Sequence, residues 1–267
     1  MALPAGGETL LFSCLAGTVA VTGRFVWSGL ITRYPVTFAA VLFSAARLLS
    51  FLYVWSTGVR PFGRDGYGLA YVTTQPIMWA LHFLVVVELF SVTLDEFSGI
   101  RRLGKLVLVS GMGAVGLAGA GLMILDYRSG VDPYPFLGYL ALQQRSVFTA
   151  LSAVTVLLLL FIAHYRVPVK RNVLILWACF GSYYVSNAVL MTLRWHFGAD
   201  FASIRNLSGT VFYVLALAGA TIFLSRAGET ESRPMRPLWG GRNRDLEQSL
   251  SLQLQGFNQT LAKVLKQ

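Results

Sequence analysis

Ionisable side chains lie inside apolar stretches of this chain, where burying a charge is costly. His82 and Glu88 lie in the run 68 to 94, and Arg47 lies near the middle of the run 36 to 58. Such groups in hydrocarbon usually mark a contact between helices or a working site. These residues therefore predict either interhelical hydrogen bonds and ion pairs or a polar pocket that binds a ligand, an ion or a proton.

Helical geometry indicates which of these side chains could meet. The short loop RPFGRDG makes the second and third runs antiparallel neighbours, which brings Arg47 level with Met78, one turn from His82. Glu88 lies about 9 Å farther along its helix, at a depth that favours Arg24 as its partner. Arg47 is then left with His82, Gln75 or the polar groups of the sixth run. The predicted intramembrane polar site consists of Arg24, Arg47, Gln75, His82, Glu88 and Asn187.

The elements that carry these residues are predicted to be membrane-spanning helices. The 267 residues are 55% hydrophobic and only 13% charged, with a mean hydropathy of +0.61, whereas about a quarter of the residues are charged in ordinary soluble domains. A bilayer core of roughly 30 Å needs about 20 apolar residues in a helix. Seven runs meet that length: 9 to 31, 36 to 58, 68 to 94, 103 to 125, 141 to 164, 172 to 193 and 204 to 225. The predicted fold is all-α, a polytopic membrane bundle of seven transmembrane helices followed by a C-terminal cytoplasmic amphipathic helix.

The distribution of Lys and Arg predicts the orientation of this bundle. Fifteen of them lie toward the side that holds the tail and the loops after the first, third and fifth runs, and six lie toward the other side. Cytoplasmic segments of membrane proteins carry the excess of positive charge. The N-terminus is therefore expected outside and the C-terminus in the cytoplasm.

The composition changes after residue 226, which divides the predicted domains. Residues 1–226 form the seven-helix domain, 227–244 a basic juxtamembrane linker and 245–267 an amphipathic, coiled-coil-like helix. The arginines expected to contact anionic lipid headgroups are Arg226, Arg233, Arg236, Arg242 and Arg244. Apolar residues at alternating spacings of four and three form a seam for a partner helix or a surface, namely Leu250, Leu254, Phe257, Leu261 and Val264.

Several reaction chemistries are not indicated by this sequence. Three of the four lysines lie outside the apolar runs and Lys105 lies at the very start of the fourth, so none is placed to form a Schiff base with retinal. His82 is alone at mid-depth, so a pair of haem ligands at matched depth is missing. The sequence also lacks HExxH, CxxC, GxSxG and a Gly-rich phosphate loop. We therefore expect a non-enzymatic protein with no cofactor and no metal.

The expected partners are the lipid bilayer and other proteins. The net charge of +10 is spread over short loops and the tail, which favours contact with anionic lipid over binding of nucleic acid. The fourth run contains SGMGAVGLAGAG, with small residues at Ser110, Ala114 and Ala118, and small residues let helices approach closely. This run predicts either packing within the bundle or self-association, and residues 245–267 predict contact with a protein partner or a second copy.

Two segments carry a resemblance to a known set of proteins. At Glu88 to Lys105, ELFSVTLDEFSGIRRLGK, and from Tyr165 to Met191, beginning YRVPVKRN, the chain resembles a family of uncharacterised bacterial seven-span integral membrane proteins. The resemblance implies seven spans and a location in the bacterial inner membrane. It implies no activity and no catalytic residues, since that family has none assigned.

These features favour a receptor-like, scaffold or accessory protein of a membrane complex that contacts its partner through the C-terminal tail. The alternative is a small-solute transporter with a three-one-three arrangement of helices. A shift of 133 residues places the first three runs nearly on the last three, as in transporters built from internal repeats. In this alternative Arg47, His82 and Glu88 line a site near the middle of the membrane.

Overall fold

The protein is built almost entirely from α-helices. The computed structural model describes residues 7–57, 66–126, 135–165, 167–230, 232–234 and 244–264. The helices in these ranges are α1 Gly7–Trp27, α2 Pro35–Thr57, α3 Gly66–Thr93, α4 Ser98–Asp126, α5 Pro135–Tyr165, α6 Arg171–Phe197, α7 Ala202–Phe223 and α8 Arg244–Val264. The described strands are β1 Pro168–Lys170 and β2 Ser232–Pro234. Single 3-10 turns occupy Leu30–Thr32, Gly198–Phe201 and Ala227–Glu229.

Six of the described helices are long and apolar enough to cross a membrane, namely α1, α2, α3, α5, α6 and α7. Helices suit this role because they satisfy their own backbone hydrogen bonds in hydrocarbon. α4 overlaps the fourth predicted run but is not among the six, and its first turns carry Arg101, Arg102 and Lys105. The prediction of a helical, multi-pass membrane protein is thus confirmed with six candidate spans, and the seventh span stays a prediction.

The six candidate spans pack in a closed ring. Neighbours follow the order α1, α2, α3, α5, α6 and α7, and α7 returns to α1. α3 also touches α6 across the ring, whereas α4 packs on the outside of α3 and α5. The largest fully buried side chains include Phe148 of α5 and Trp177 and Tyr184 of α6. The ring therefore has a tightly packed aromatic core on its α5 and α6 side.

The chain after α7 folds back onto the connection between α5 and α6. β2 pairs with β1 in an antiparallel ladder in which Arg233 lies opposite Val169. Just before β2, Glu229 accepts hydrogen bonds at Oε1 from the Tyr34 hydroxyl at 2.7 Å and from Asn172 Nδ2 at 2.9 Å. Lys170 Nζ lies 3.7 Å from Glu229 Oε2. Tyr34, Lys170, Asn172 and Glu229 are called the Glu229 cluster below.

The Glu229 cluster attaches the start of the predicted juxtamembrane linker to the bundle. Asn172 Nδ2 also donates to the Ser225 carbonyl at 2.7 Å, and the Ser225 amide donates to Asn172 Oδ1 at 3.2 Å. Burial, together with the hydrogen bond to the Glu229 carboxylate, raises the pKa of the Tyr34 phenol above its ordinary value. Tyr34 therefore stays protonated and keeps donating at neutral pH. Residues 227–230 and 232–234 of the predicted linker are thus folded.

Helix α8 packs against α4 and α5 at the same end of the bundle. Asn258 Oδ1 accepts hydrogen bonds from the backbone amides of Gly99 at 2.7 Å and Ile100 at 3.3 Å, so it caps the N-terminus of α4. In the predicted partner seam, Leu254 is only 5% exposed and Leu261 is half-buried, whereas Phe257 is 56% exposed. Part of the seam therefore packs on the protein's own helices.

The side chains of the remaining tail residues are only partly described. The structure does not describe the side chains of Leu250, Val264, Arg233 and Arg244. Arg236 and Arg242 lie outside the described residues altogether. Arg226 is described and exposed, as contact with lipid headgroups requires.

Substitution of Gly228 tests how closely the tail is attached. A Cβ at this position would overlap the side-chain amide of Asn172. We expect Gly228→Ala to lower the free energy of unfolding by about 1–3 kcal/mol, because the crowded amide has to move. The control is Gly23→Ala in α1, where a Cβ meets nothing within 4 Å and Ala is the better helix former. Thermal unfolding in mild detergent measures both, and equal melting temperatures would contradict the close packing of Gly228 on Asn172.

Candidate functional site

A polar cavity opens between the six candidate spans. Its volume is about 610 Å³, which falls in the usual range for small-molecule sites, roughly 300–1,000 Å³. Every helix of the ring contributes to its lining. The lining residues are Cys14, Ser44, Arg47, Leu48, Phe51, Tyr71, Gln75, Met78, Gln144, Tyr183, Asn187, Arg194, Arg205, Asn206, Gly209, Thr210 and Tyr213. It is called the ring cavity below.

The ring cavity lies toward the end of the bundle opposite the tail. Arg194 is in the last turn of α6, and Arg205 is in the first turn of α7. The other end of α6 begins at Arg171, beside β1 and the Glu229 cluster. Cys14, Ser44 and Met78 line the cavity from nearer the middle of their helices. The cavity thus reaches from one end of the bundle toward its centre.

The charged groups that line the ring cavity are all guanidinium groups. Arg47, Arg194 and Arg205 contribute to the wall, and no Asp or Glu is among the described residues that do so. Arg205 Nη1 donates to Asn206 Oδ1 at 2.7 Å. Arg47 Nη2 donates to Gln75 Oε1 at 2.6 Å, and this guanidinium also lies 5.2 Å from the ring centre of Phe51. The described part of the cavity wall therefore carries a positive charge.

Neutral polar groups and a few apolar side chains, among them Leu48 and Met78, line the rest of the wall, and several of the polar groups are buried. Gln75, Gln144 and Asn187 are each less than a tenth exposed. The Tyr71 hydroxyl lies 3.4 Å from Gln144 Oε1, and Asn187 Nδ2 donates to the Tyr183 carbonyl at 2.9 Å. Amides placed this way supply both donors and acceptors to a molecule held between them. The arrangement suits binding of a polar solute.

An aromatic layer separates the ring cavity from the tail end. His82 is 5% exposed and does not line the cavity. Its imidazole packs on the rings of Phe148, Tyr183 and Tyr184, with centroid distances of 6.1, 5.7 and 5.6 Å. Among the described residues its Nδ1 has no hydrogen-bond partner. Tyr183 belongs both to the cavity wall and to this layer, so it connects the two.

The predicted ion pair between Arg24 and Glu88 is wrong. The Glu88 carboxylate instead accepts the backbone amides of Val36 and Thr37, both at 2.8 Å, and the Thr37 hydroxyl at 2.6 Å. It thereby caps the N-terminus of α2. Arg24 Nε donates to the Leu224 carbonyl at 2.6 Å, just beyond the C-terminus of α7. Both groups bind helix ends near the tail, away from the ring cavity.

The structure brings together half of the predicted polar site. Arg47, Gln75 and Asn187 line the ring cavity, and the hydrogen bond from Arg47 to Gln75 was one of the expected pairings. Arg24, Glu88 and His82 lie elsewhere. Among the residues that the structure describes, no group of three or more His, Cys, Asp or Glu side chains could hold a metal ion.

Arg194 and Arg205 are cavity residues that the sequence analysis did not include. The sixth apolar run ends at residue 193 and the seventh begins at 204, so Arg194 falls in the predicted connection and Arg205 at the start of a run. In the structure α6 continues to Phe197 and α7 begins at Ala202, so both arginines lie on helices. The signal that could have found them is their spacing. Arg194 follows Asn187 by seven residues, or about two helical turns, and therefore lies on the same face of α6.

The role of Glu88 can be tested by removing its charge. We expect Glu88→Gln to lower the free energy of unfolding by about 1–3 kcal/mol, because three donors lose a charged acceptor. The matched control is Glu96→Gln, whose carboxylate is exposed. Chemical denaturation of both variants gives the comparison. A fully stable Glu88→Gln protein would contradict the capping role.

No protein-family model matches the chain, and no curated protein and no solved structure is significantly similar to it. The indications of function therefore come from the chemistry of the ring cavity and its position in the bundle.

Proposed function

We propose that this protein is a receptor-like, non-enzymatic protein of the bacterial inner membrane that binds a small solute in the ring cavity. In this proposal the tail contacts a cytoplasmic or membrane-complex partner. The observation that carries the proposal is the polar cavity of about 610 Å³ at one end of the bundle, with a folded tail at the other end.

Seven crossings and a cytoplasmic tail belong to this proposal. Asp95, after α3, lies at the tail end, since its carboxylate pairs with Arg33 and Arg101. α5 also ends there, because β1 follows it and pairs with β2. α3 and α5 are thus both directed toward the tail end, so α4 has to carry the chain back between them. Its 29 residues span about 43 Å, enough to cross a bilayer. The Lys and Arg excess at the tail end supports its cytoplasmic location.

The packed layer beneath the cavity favours a receptor over a channel. The rings around His82 pack together between α3, α5 and α6. Closer to the tail, the buried Trp177 indole donates to the Thr93 hydroxyl at 3.0 Å. A solute in the ring cavity therefore meets close-packed side chains on the way to the tail.

Helix α6 offers a physical connection between the solute site and the tail. Asn187 and Arg194 line the cavity from its second half. Asn172, at its start, hydrogen-bonds Glu229 and the backbone of Ser225. A shift of α6 on solute binding would therefore act directly on the attachment of the tail. On α8, the exposed Leu252 and Phe257 provide apolar contact for a partner.

The transporter alternative keeps one supporting feature. The ring places α1, α2 and α3 beside one another and likewise α5, α6 and α7, with α4 outside, which is the three-one-three arrangement. A transporter of this kind would have to open the aromatic layer on the tail side.

A flux measurement separates the two functions. The full chain is reconstituted into proteoliposomes, and uptake of labelled citrate, glutamate, glucose 6-phosphate and glucose is compared with protein-free liposomes. We expect no uptake above that background, because the aromatic layer closes the bundle. Uptake of any of these solutes that is lost in Arg47→Leu would contradict the receptor-like function and favour the transporter.

A second experiment tests whether the tail contacts a partner. Residues 243–267 are deleted, and the native mass of the complex extracted from cells in mild detergent is compared with that of the full chain. We expect a mass decrease larger than that of the deleted segment, because the partner is lost. A complex that shrinks only by the deleted segment would argue against partner contact through the tail.

A further inference from the structure

The arginines at the two ends of the bundle have different kinds of partner. At the tail end, Arg33 Nη2 lies 3.2 Å from Asp95 Oδ2, and Arg101 pairs with the other oxygen of the same carboxylate. At the cavity end, Arg194 and Arg205 form no ion pair within the described part of the chain. The contact of Arg205 with Asn206 is to a neutral amide oxygen. Among the described residues, the guanidinium groups that pair with the protein's own carboxylates, those of Arg33 and Arg101, lie at the tail end.

Burying part of two guanidinium groups without a carboxylate partner is costly unless a bound anion supplies the opposite charge. Arg194 and Arg205 lie at the ends of candidate membrane spans, and both are half-buried, so the surrounding protein removes part of the water that would solvate their positive charge. A neutral amide supplies a hydrogen bond but no opposite charge. Like charges in a cleft with low-dielectric walls also concentrate the electric field and raise the local concentration of anions. The cavity is therefore preorganised for negative charge.

The other lining groups indicate what surrounds that negative charge. Guanidinium groups bind carboxylates and phosphates with two parallel hydrogen bonds. The buried amides of Gln75, Gln144 and Asn187 suit hydroxyl or amide groups of a ligand. The volume of about 610 Å³ exceeds that of a single inorganic ion and suits a small organic molecule.

We propose that the ring cavity binds a small organic anion, with a carboxylate or phosphate group held by Arg194 and Arg205 and hydroxyl or amide groups held by the buried amides. This inference deepens the proposed function and rests on it in one respect, that the cavity is a solute site. The group that the arginines would bind is an oxyanion, and either a free metabolite or the headgroup of a lipid could supply it.

The test uses the purified full chain in nanodiscs of zwitterionic lipid. Its melting temperature is measured with glucose 6-phosphate, glucuronate or glucose, at constant ionic strength set with chloride. The three probes share one ring and differ at a single position, which carries a phosphate, a carboxylate or a neutral hydroxymethyl group. We expect both anions to raise the melting temperature by a few degrees and glucose to leave it unchanged.

Variants assign the effect to the cavity. In Arg194→Gln and Arg205→Gln we expect the apparent affinity for the two anions to fall about 10-fold or more, as for loss of a hydrogen bond to a charged group. The matched control is Arg145→Gln, at the same end of the bundle, because Arg145 lies 5.3 Å over the Trp195 ring and does not line the cavity. Without anion, Arg194→Gln should melt at or above the wild-type temperature, since it removes an uncompensated charge. That result also shows that the variant folds.

The outcomes separate the possible sources of the anion. Stabilisation by nanodiscs that contain phosphatidylglycerol, lost in Arg194→Gln and Arg205→Gln, supports an oxyanion site filled by a lipid headgroup. Stabilisation by the soluble anions, with the same variant dependence, supports a free organic anion. Equal stabilisation of wild type and both arginine variants, or no response to the soluble anions and to the anionic lipid, would overturn the proposal.

The same measurements keep this inference distinct from the proposed function. Anion binding together with uptake into proteoliposomes would support the anion site and contradict the receptor-like function. If glucose alone stabilises the protein and this stabilisation is lost in Asn187→Leu, the result would support a solute site and contradict its preference for anions.

Discussion

The fold depends on satisfying helix ends that water reaches poorly. The Glu88 carboxylate of α3 binds the first backbone amides of α2, Arg24 of α1 binds the carbonyl after α7, and Asn258 of α8 binds the first amides of α4. Each of these contacts supplies a partner for a backbone group that the helix itself cannot pair. Each also joins elements that are distant in sequence, so the tail end of the bundle is fixed by polar contacts as well as by apolar packing.

The two ends of the bundle differ in the partners of their positively charged side chains, and this difference is the main link from structure to function. At the tail end, Arg33, Arg101 and Lys170 pair with Asp95 or Glu229, whereas Arg194 and Arg205 face a polar cavity. Proteins commonly give up stability at a site where binding has to supply the missing interaction. α6 belongs to both ends, with Asn172 in the Glu229 cluster and Asn187 in the cavity wall. It is therefore the element through which occupancy of the cavity could reach the tail.

The sequence predicts the helices well, and each predicted run overlaps one of α1 to α7. The reason is that a helix needs about 20 apolar residues to cross the bilayer core, which is a strong constraint on the sequence. Depth matching left His82, Gln75 and the polar groups of the sixth run open as partners of Arg47, and the structure shows the hydrogen bond to Gln75. It failed for Glu88, because depth along a helix does not identify the face of the side chain and the partner proved to be backbone. Arg194 was missed because α6 extends past its apolar run, and Arg205, at the start of the seventh run, was missed because position along a run does not show which side chains face the interior. The burial of Leu254 depends on contacts of α8 with α4 and α5, which no local pattern contains.

The central claim, a positive cavity open only at the end away from the tail, can be tested most directly through Cys14, which lines it. In Cys179→Ala, Cys14 is the one remaining thiol. The measurement is its rate of reaction in sealed vesicles with membrane-impermeant anionic and cationic thiosulfonates, applied from either side and normalised to a small free thiol. The account predicts reaction from the side opposite the tail, with a preference for the anionic reagent of about 10-fold or more. Preference for the cationic reagent, or equal reaction from the tail side, would contradict it.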